Sequence, residues 1–254
     1  MISLPLLKQT IKANGVIWLA MAGVSAVLLG QFASLEMTQN LLFVIYYSVM
    51  ITLFPAIYSL ISSNKLLTSQ VDRGSMAYVL STPKSRVSVV MTQIFYSFVS
   101  LLLMFVITTT VHVVINSIDP IGISLATGGA VAATGDLTAE MIILTNLSAF
   151  CASFAVSGLC FMFSGIFNLS RNTIGICGTL VGVCILAGLM GMFGSLGIDS
   201  LENFKYLTLF TLYDYQSVLL GVNDWISKAI AAGVIGVLGY MIGAVWFCKK
   251  DLPL

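Results

Sequence analysis

The chain has 254 residues; 58% belong to the apolar set AVILMFWYC and only 8% are charged. An average soluble domain is about 45–50% apolar and about 25% charged. A water-soluble enzyme domain is therefore excluded, as is a disordered chain, which is poor in hydrophobic residues. The formal net charge of +1 offers no basic footprint for nucleic acid. What remains is a polytopic membrane protein.

In chain order, residues 1–14 come first. Leu4, Leu7 and Ile11 share one helical face, Lys8, Gln9 and Lys12 turn away, and Pro5 suits a first turn. The pattern predicts a short interfacial helix over 1–14, with its lysines toward anionic headgroups. Six apolar runs then follow, over about 15–33, 41–62, 88–115, 141–167, 173–194 and 229–248. Each is long enough to cross a hydrocarbon core of about 30 Å. The third and fourth exceed that need, so they tilt or project into water. The runs are continuous rather than alternating, which excludes a β-barrel. The predicted fold class is an all-α polytopic membrane protein, a single transmembrane domain over 1–254 with six transmembrane helices.

Lys and Arg set the predicted orientation. With the N terminus inside, nine fall on the cytoplasmic side: Lys8, Lys12, Lys65, Arg73, Lys84, Arg86, Arg171, Lys249 and Lys250. Only Lys205 and Lys228 fall outside. This bias predicts both termini in the cytoplasm. Eight acids, including Asp136, Asp214 and Asp224, lie outside, against Asp72 and Asp251 inside.

The span interiors contain no Asp, Glu, Lys or Arg, the residues on which ion-coupled transporters rely. His112, near the outer end of the third span, reads as a helix-end residue at headgroup level rather than a proton relay. There is no HExxH motif, no intramembrane aspartate pair, and no catalytic, cofactor-binding or metal-ligating motif. Cys151, Cys160, Cys177, Cys184 and Cys248 all lie in apolar runs and read as small packing residues, without disulfides. Small residues are spaced for close helix contact: Ala22, Ala26 and Gly30 on the first span, Gly178 and Gly182 on the fifth, Gly239 and Gly243 on the sixth. Such ridges serve packing within the bundle or a dimer interface, for which Ala22, Ala26 and Gly30 are the candidates.

The loop between the second and third spans is the most patterned. Residues 65–72 continue the helix, Gly74 ends it, and Ser75 is expected to cap a short helix through Leu80. Thr82 as N-cap with Pro83 at the first position then starts the next helix. A short, partly apolar helix carrying Met76, Tyr78, Val79 and Leu80 needs something to pack on, and a cytosolic partner is the natural candidate.

At this loop a family comes into view. Asp72-Arg73-Gly74-Ser75, followed by Tyr78-Val-Leu-Ser-Thr-Pro83 and Ser85-Arg86, resembles the corresponding loop of type-2 ABC exporter permeases, although Asp72 stands where a glutamate is common. Asn168-Leu-Ser-Arg171 resembles the family's short turn between spans four and five. Lys205 to Asp214 and Leu219-Leu-Gly221 resemble its extracellular segment before the last span, where short helices close the outer mouth. The specific motif covers about 15 residues, the topology the whole chain.

The resemblance implies a permease subunit in a bacterial cell membrane, with no enzymatic activity of its own. It implies two permease chains, identical or related, assembled with two separate ABC ATP-binding subunits. ATP and Mg belong to those subunits, since the chain lacks a GxxxxGK[ST] sequence. It implies ATPase coupling by residues 72–86: Met76, Tyr78, Val79 and Leu80 as anchors, Gly74 for the turn, and Pro83 with Arg86 at the return. Asp72 and Arg73 either contact the ATPase rim or brace the loop. The apolar, uncharged path favours a hydrophobic or amphipathic cargo such as a peptide, toxin or drug. A membrane-embedded immunity or binding protein, or a secondary transporter, are the other readings of the same composition. No internal repeat supports the last.

Overall fold

The computed structural model describes residues 2–34, 42–81, 85–123, 126–127, 130–131, 135–195 and 209–251. Six helices are long and apolar enough to cross a bilayer: Leu4–Ser34, Ile45–Asp72, Arg86–Ile118, Ala139–Ile166, Ser170–Met190 and Asp224–Lys249. In hydrocarbon every backbone polar group must bond internally, and a helix does this within one segment. Their outer faces carry exposed large apolar residues, among them Val16, Phe95, Leu186, Ile230 and Met241. The chain is a multi-pass membrane protein with an all-helical core.

Helix α1 (Leu4–Ser34) runs without a break. The residues 4–14 expected to form an interfacial helix are continuous with the helix that carries the first apolar run. Leu6, Thr10 and Asn14 turn inward, while Leu4, Lys8, Ile11 and Lys12 are exposed. Polar bonds on this face run both within the helix and across to the span Arg86–Ile118. Thr10 Oγ1 donates to Leu6 O (2.9 Å) and Gln93 Oε1 (3.2 Å), Asn14 Nδ2 to Thr10 O (3.2 Å), and Trp18 Nε1 to Ser100 O (2.8 Å).

The second span changes pitch along its length. It is π-helical over Leu42–Met50, α-helical over Ile51–Ser63 (α2), π-helical over Asn64–Thr68, and α-helical again over Ser69–Asp72 (α3). Pro55 lies inside α2, where it cannot donate to the preceding turn. A short helix α4 (Ser75–Leu80) and the 33-residue helix α5 (Arg86–Ile118) follow. At about 1.5 Å per residue, α5 is about 50 Å long and outreaches the hydrocarbon core.

After α5, Asn116 organises a tight return. Its Nδ2 donates to Leu137 O (2.7 Å) and its Oδ1 accepts from Ile121 N (3.1 Å). Two-residue strands β1 (Ala126–Thr127) and β2 (Ala130–Val131) pair antiparallel in this return.

Helices α6 (Ala139–Ile166) and α7 (Ser170–Ser195) are joined by a short turn. A 3-10 turn (Leu209–Leu212) and α8 (Tyr215–Leu219) precede α9 (Asp224–Lys249), in the stretch expected to carry short helices.

Helices α6 and α9 form the closest pair. Gly158 and Gly165 on α6 face Gly236, Gly239 and Gly243 on α9 so tightly that a Cβ at Gly239 would fall 2.6 Å from the Gly158 carbonyl carbon. The Gly239/Gly243 ridge therefore packs within the bundle, where small residues let backbones approach. Ala22 is also turned inward, against Tyr58 and Met104, and Gly30 faces Ile115 at 3.8 Å. Gly178 lies 3.9 Å from Leu60, and Gly182 faces open space. All five cysteines are free; Cys160, Cys177 and Cys184 are buried.

Candidate functional site

The basic end of the bundle gathers the start of α1, the stretch 64–81, the start of α5, the α6–α7 turn and the end of α9. Helix α3 ends at Asp72, and the chain reverses through Gly74, whose φ of +70° is readily open only to glycine. Gly74 N donates to Val71 O (3.0 Å), so it ends the helix as expected. Ser75 does not cap α4. Gly74 occupies the N-cap position without a side-chain bond, and Ser75 Oγ donates to Gln70 O instead (3.1 Å). A turn this tight puts Ser75 already inside the helix, with its hydroxyl reaching back across the bend.

Helix α4 turns Met76 fully inward, against a cluster that includes Leu6, Leu66, Val71 and Val89, with Val79 packed at its edge. Tyr78 is 81% exposed. Of the four apolar residues expected to form one outward surface, Met76 anchors the helix to its own bundle. The reason is period: in a six-residue helix, positions two apart face opposite ways. The Leu80 side chain, and Thr82, Pro83 and Lys84, lie outside the described residues. Helix α5 is capped by Ser85, whose side chain accepts from Ser88 N (3.2 Å). The cap expected at Thr82 is thus made three residues later, where the backbone is extended and the hydroxyl can reach the first turn.

The charged residues act in different ways. Asp72 Oδ2 accepts from Ser170 N (3.1 Å), so it braces the loop against the start of α7. Arg73 is exposed and has no hydrogen-bond or ion-pair partner among the described residues. Arg86 Nη1 donates to Lys250 O (2.9 Å), and Lys250 Nζ donates to Phe167 O (3.1 Å). Burial pulls the Lys250 ammonium down to about 8. These bonds tie the ends of α5, α6 and α9 together. Deeper in, Thr68 Oγ1 donates to Ser164 O (2.9 Å) and lies 3.0 Å from Thr173 Oγ1, locking the π turn onto α6 and α7. Thr68 carried no signal in the sequence beyond being small and polar, whereas Ser170 stood in the turn Asn168–Arg171.

Beside this loop lies a groove of about 840 Å³. Pro5, Leu6, Gln9 and Ala13 of α1 form one wall, Lys65, Ser69, Gln70 and Arg73 the other, and Ser75, Tyr78, Val79 and Val89 close the rest.

At the opposite end, His112 is fully buried within the bundle. Its Nδ1 lies 3.1 Å from Tyr47 Oη, within an aromatic group in which Tyr47 stacks on Tyr215 (5.9 Å between centroids) and Tyr215 Oη lies 3.0 Å from Ser48 Oγ. The long π turn over Leu42–Met50 brings consecutive Tyr46 and Tyr47 inward together, which a single helical periodicity does not anticipate. Outside the spans, Asp214 caps α8 through Ser217 N (3.1 Å) and pairs with Lys228.

No protein-family model matches this chain, and no curated protein matches it. Its own geometry establishes a polytopic helical membrane protein with a braced loop and a groove at its basic end.

Proposed function

We propose that the chain is the membrane-spanning permease subunit of an ATP-driven type-2 ABC exporter. In this reading it works as a dimer with itself or a related permease, in a bacterial cell membrane with both termini cytoplasmic. Two separate ATP-binding subunits supply ATP, Mg and energy. The cargo is hydrophobic or amphipathic. The observation that carries the reading is the loop 72–86. Its sequence resembles the family's coupling loop, and Tyr78 stands 81% exposed on a helix whose other face is fastened by Met76. A large aromatic left in water on a braced helix suits a helix-in-groove contact. The absence of Asp, Glu, Lys and Arg from the interiors of the six apolar runs agrees with energy entering from outside the membrane.

The test is recovery of an ATP-binding subunit with the tagged chain, for wild type and Tyr78→Ala at matched membrane expression. A truncated hot-spot anchor costs about 2 kcal/mol, so affinity should fall more than tenfold. Equal recovery with undiminished export would overturn the contact. Purification with no ATPase at all would overturn the exporter reading. A cysteine placed at position 65 should be closed to an outside reagent and one at 136 open. The reverse would overturn the orientation.

A further inference from the structure

The groove at the basic end has a composition that points to a ligand of its own. Two walls face each other, each in steps of four residues: Pro5, Gln9 and Ala13 on α1, and Lys65, Ser69 and Arg73 on the other side. Among the described residues, both charged side chains that line the space are cations, no carboxylate lines it, and neither cation has a partner. The nearest acid in the loop, Asp72, is turned to Ser170 N. Uncharged donors stand beside the cations, on Ser69, Gln70 and Tyr78, while Pro5, Leu6 and Val89 supply apolar floor.

The α1 wall of the groove also leads toward an exposed apolar face. Three residues beyond Ala13, on the same face of α1, Val16 is 78% exposed. One wall of the space is thus cationic and hydrogen-bonding, and the other leads onto an apolar helix face. A free phosphate complements only the first half. A peptide helix of ordinary composition leaves the two cations unmatched.

We infer that the groove binds one anionic glycerophospholipid, its phosphate held by Lys65 and Arg73 and its chains leaving along the α1 face of Ala13 and Val16. Basic pockets between helices at a membrane surface recognise headgroups in this way. The bound lipid lies between α1 and the loop 64–81, so it steadies the position of α4.

The experiment uses the full chain, delipidated in detergent and titrated with short-chain phosphatidylglycerol or phosphatidylcholine, with bound lipid counted by native mass spectrometry. Wild type should retain one phosphatidylglycerol, with at least about tenfold preference over phosphatidylcholine. Lys65→Gln with Arg73→Gln should abolish the preference, and Lys65→Arg with Arg73→Lys should keep it. Ala13→Trp, which fills the apolar mouth and leaves both charges, should lower occupancy; this variant decides the matter if the double glutamine variant fails to fold. Lys8→Gln with Lys12→Gln, outside the groove, should change nothing. Soluble glycerol phosphate in excess should not displace the lipid. Equal retention of both lipids by wild type, loss of preference in the Lys8/Lys12 variant, or displacement by glycerol phosphate would overturn the proposal. The first would show detergent-like adsorption, the second diffuse surface attraction, and the third a free-phosphate site.

Discussion

Asp72 Oδ2 accepts a hydrogen bond from the backbone amide of Ser170, 98 residues away, at 3.1 Å. The first amides of a helix have no partner inside it, and a carboxylate there satisfies one and complements the helix dipole. The acidic residue of the loop motif thus caps α7 from a distance, while Ser170 Oγ donates to Asn64 Oδ1 (2.8 Å) beside it. These bonds fasten the loop to the turn between α6 and α7.

Asp72→Ala should destabilise the protein by about 0.5–1 kcal/mol, the lower part of the range for a lost helix-capping acceptor, because the site is exposed. Cys160 and Cys177 are buried, so a thiol-reactive dye reports unfolding on heating. An unchanged midpoint would show that water replaces the carboxylate without loss.

Gly239→Ala should be severely destabilising. The new Cβ would meet the Gly158 carbonyl carbon at 2.6 Å and Leu159 N at 3.0 Å, both backbone atoms that cannot swing aside. Overpacking of this kind costs about 1–3 kcal/mol or more. Gly182→Ala is the control, since nothing lies within 4 Å of its Cβ position and alanine favours the helix. Folded yield after solubilisation should fall for the first and hold for the second.

Tyr47→Phe should cost about 1–3 kcal/mol, because it strands a ring nitrogen of the buried His112. Tyr47→Phe combined with His112→Phe should be less harmful than the sum of the two single changes, with a coupling of about 0.5–3 kcal/mol. Strict additivity in thermal unfolding would show that the pair does not interact.

Asp214 makes part of the stability depend on pH. Burial pushes its carboxyl up, but the Lys228 ammonium and the Ser217 amide and hydroxyl outweigh this and leave it below the usual carboxylate value. The folded state therefore holds the proton less tightly than the unfolded chain does. The stabilisation is fully present above the unfolded value, about 3.9, and is lost as pH falls through the lower folded value. Unfolding midpoints between pH 3 and pH 7 should fall more steeply toward acid for wild type than for Asp214→Asn. Parallel curves would show that Asp214 contributes no proton linkage.

The six spans were legible in the sequence because hydrocarbon imposes one local demand, about 20 consecutive apolar residues with their backbone bonds closed within a helix. Gly74 was legible for a similar reason, since a left-handed turn is open to few other residues. What escaped sequence reasoning depends on residues far apart in the chain. The inward face of α1 is chosen by Thr10 and Asn14, whose bonds involve the opposing Gln93 and their own preceding turn, and not by the apolar stripe Leu4, Leu7 and Ile11. In lipid that stripe gains nothing from burial, because the solvent is as apolar as the core. The tertiary structure alone also decided that Met76 faces inward while Tyr78 faces out, that Ser85 rather than Thr82 caps α5, and that Asp72 reaches Ser170. Each of these is a choice among locally equivalent options, settled by which neighbour the bundle brings within hydrogen-bond or van der Waals reach.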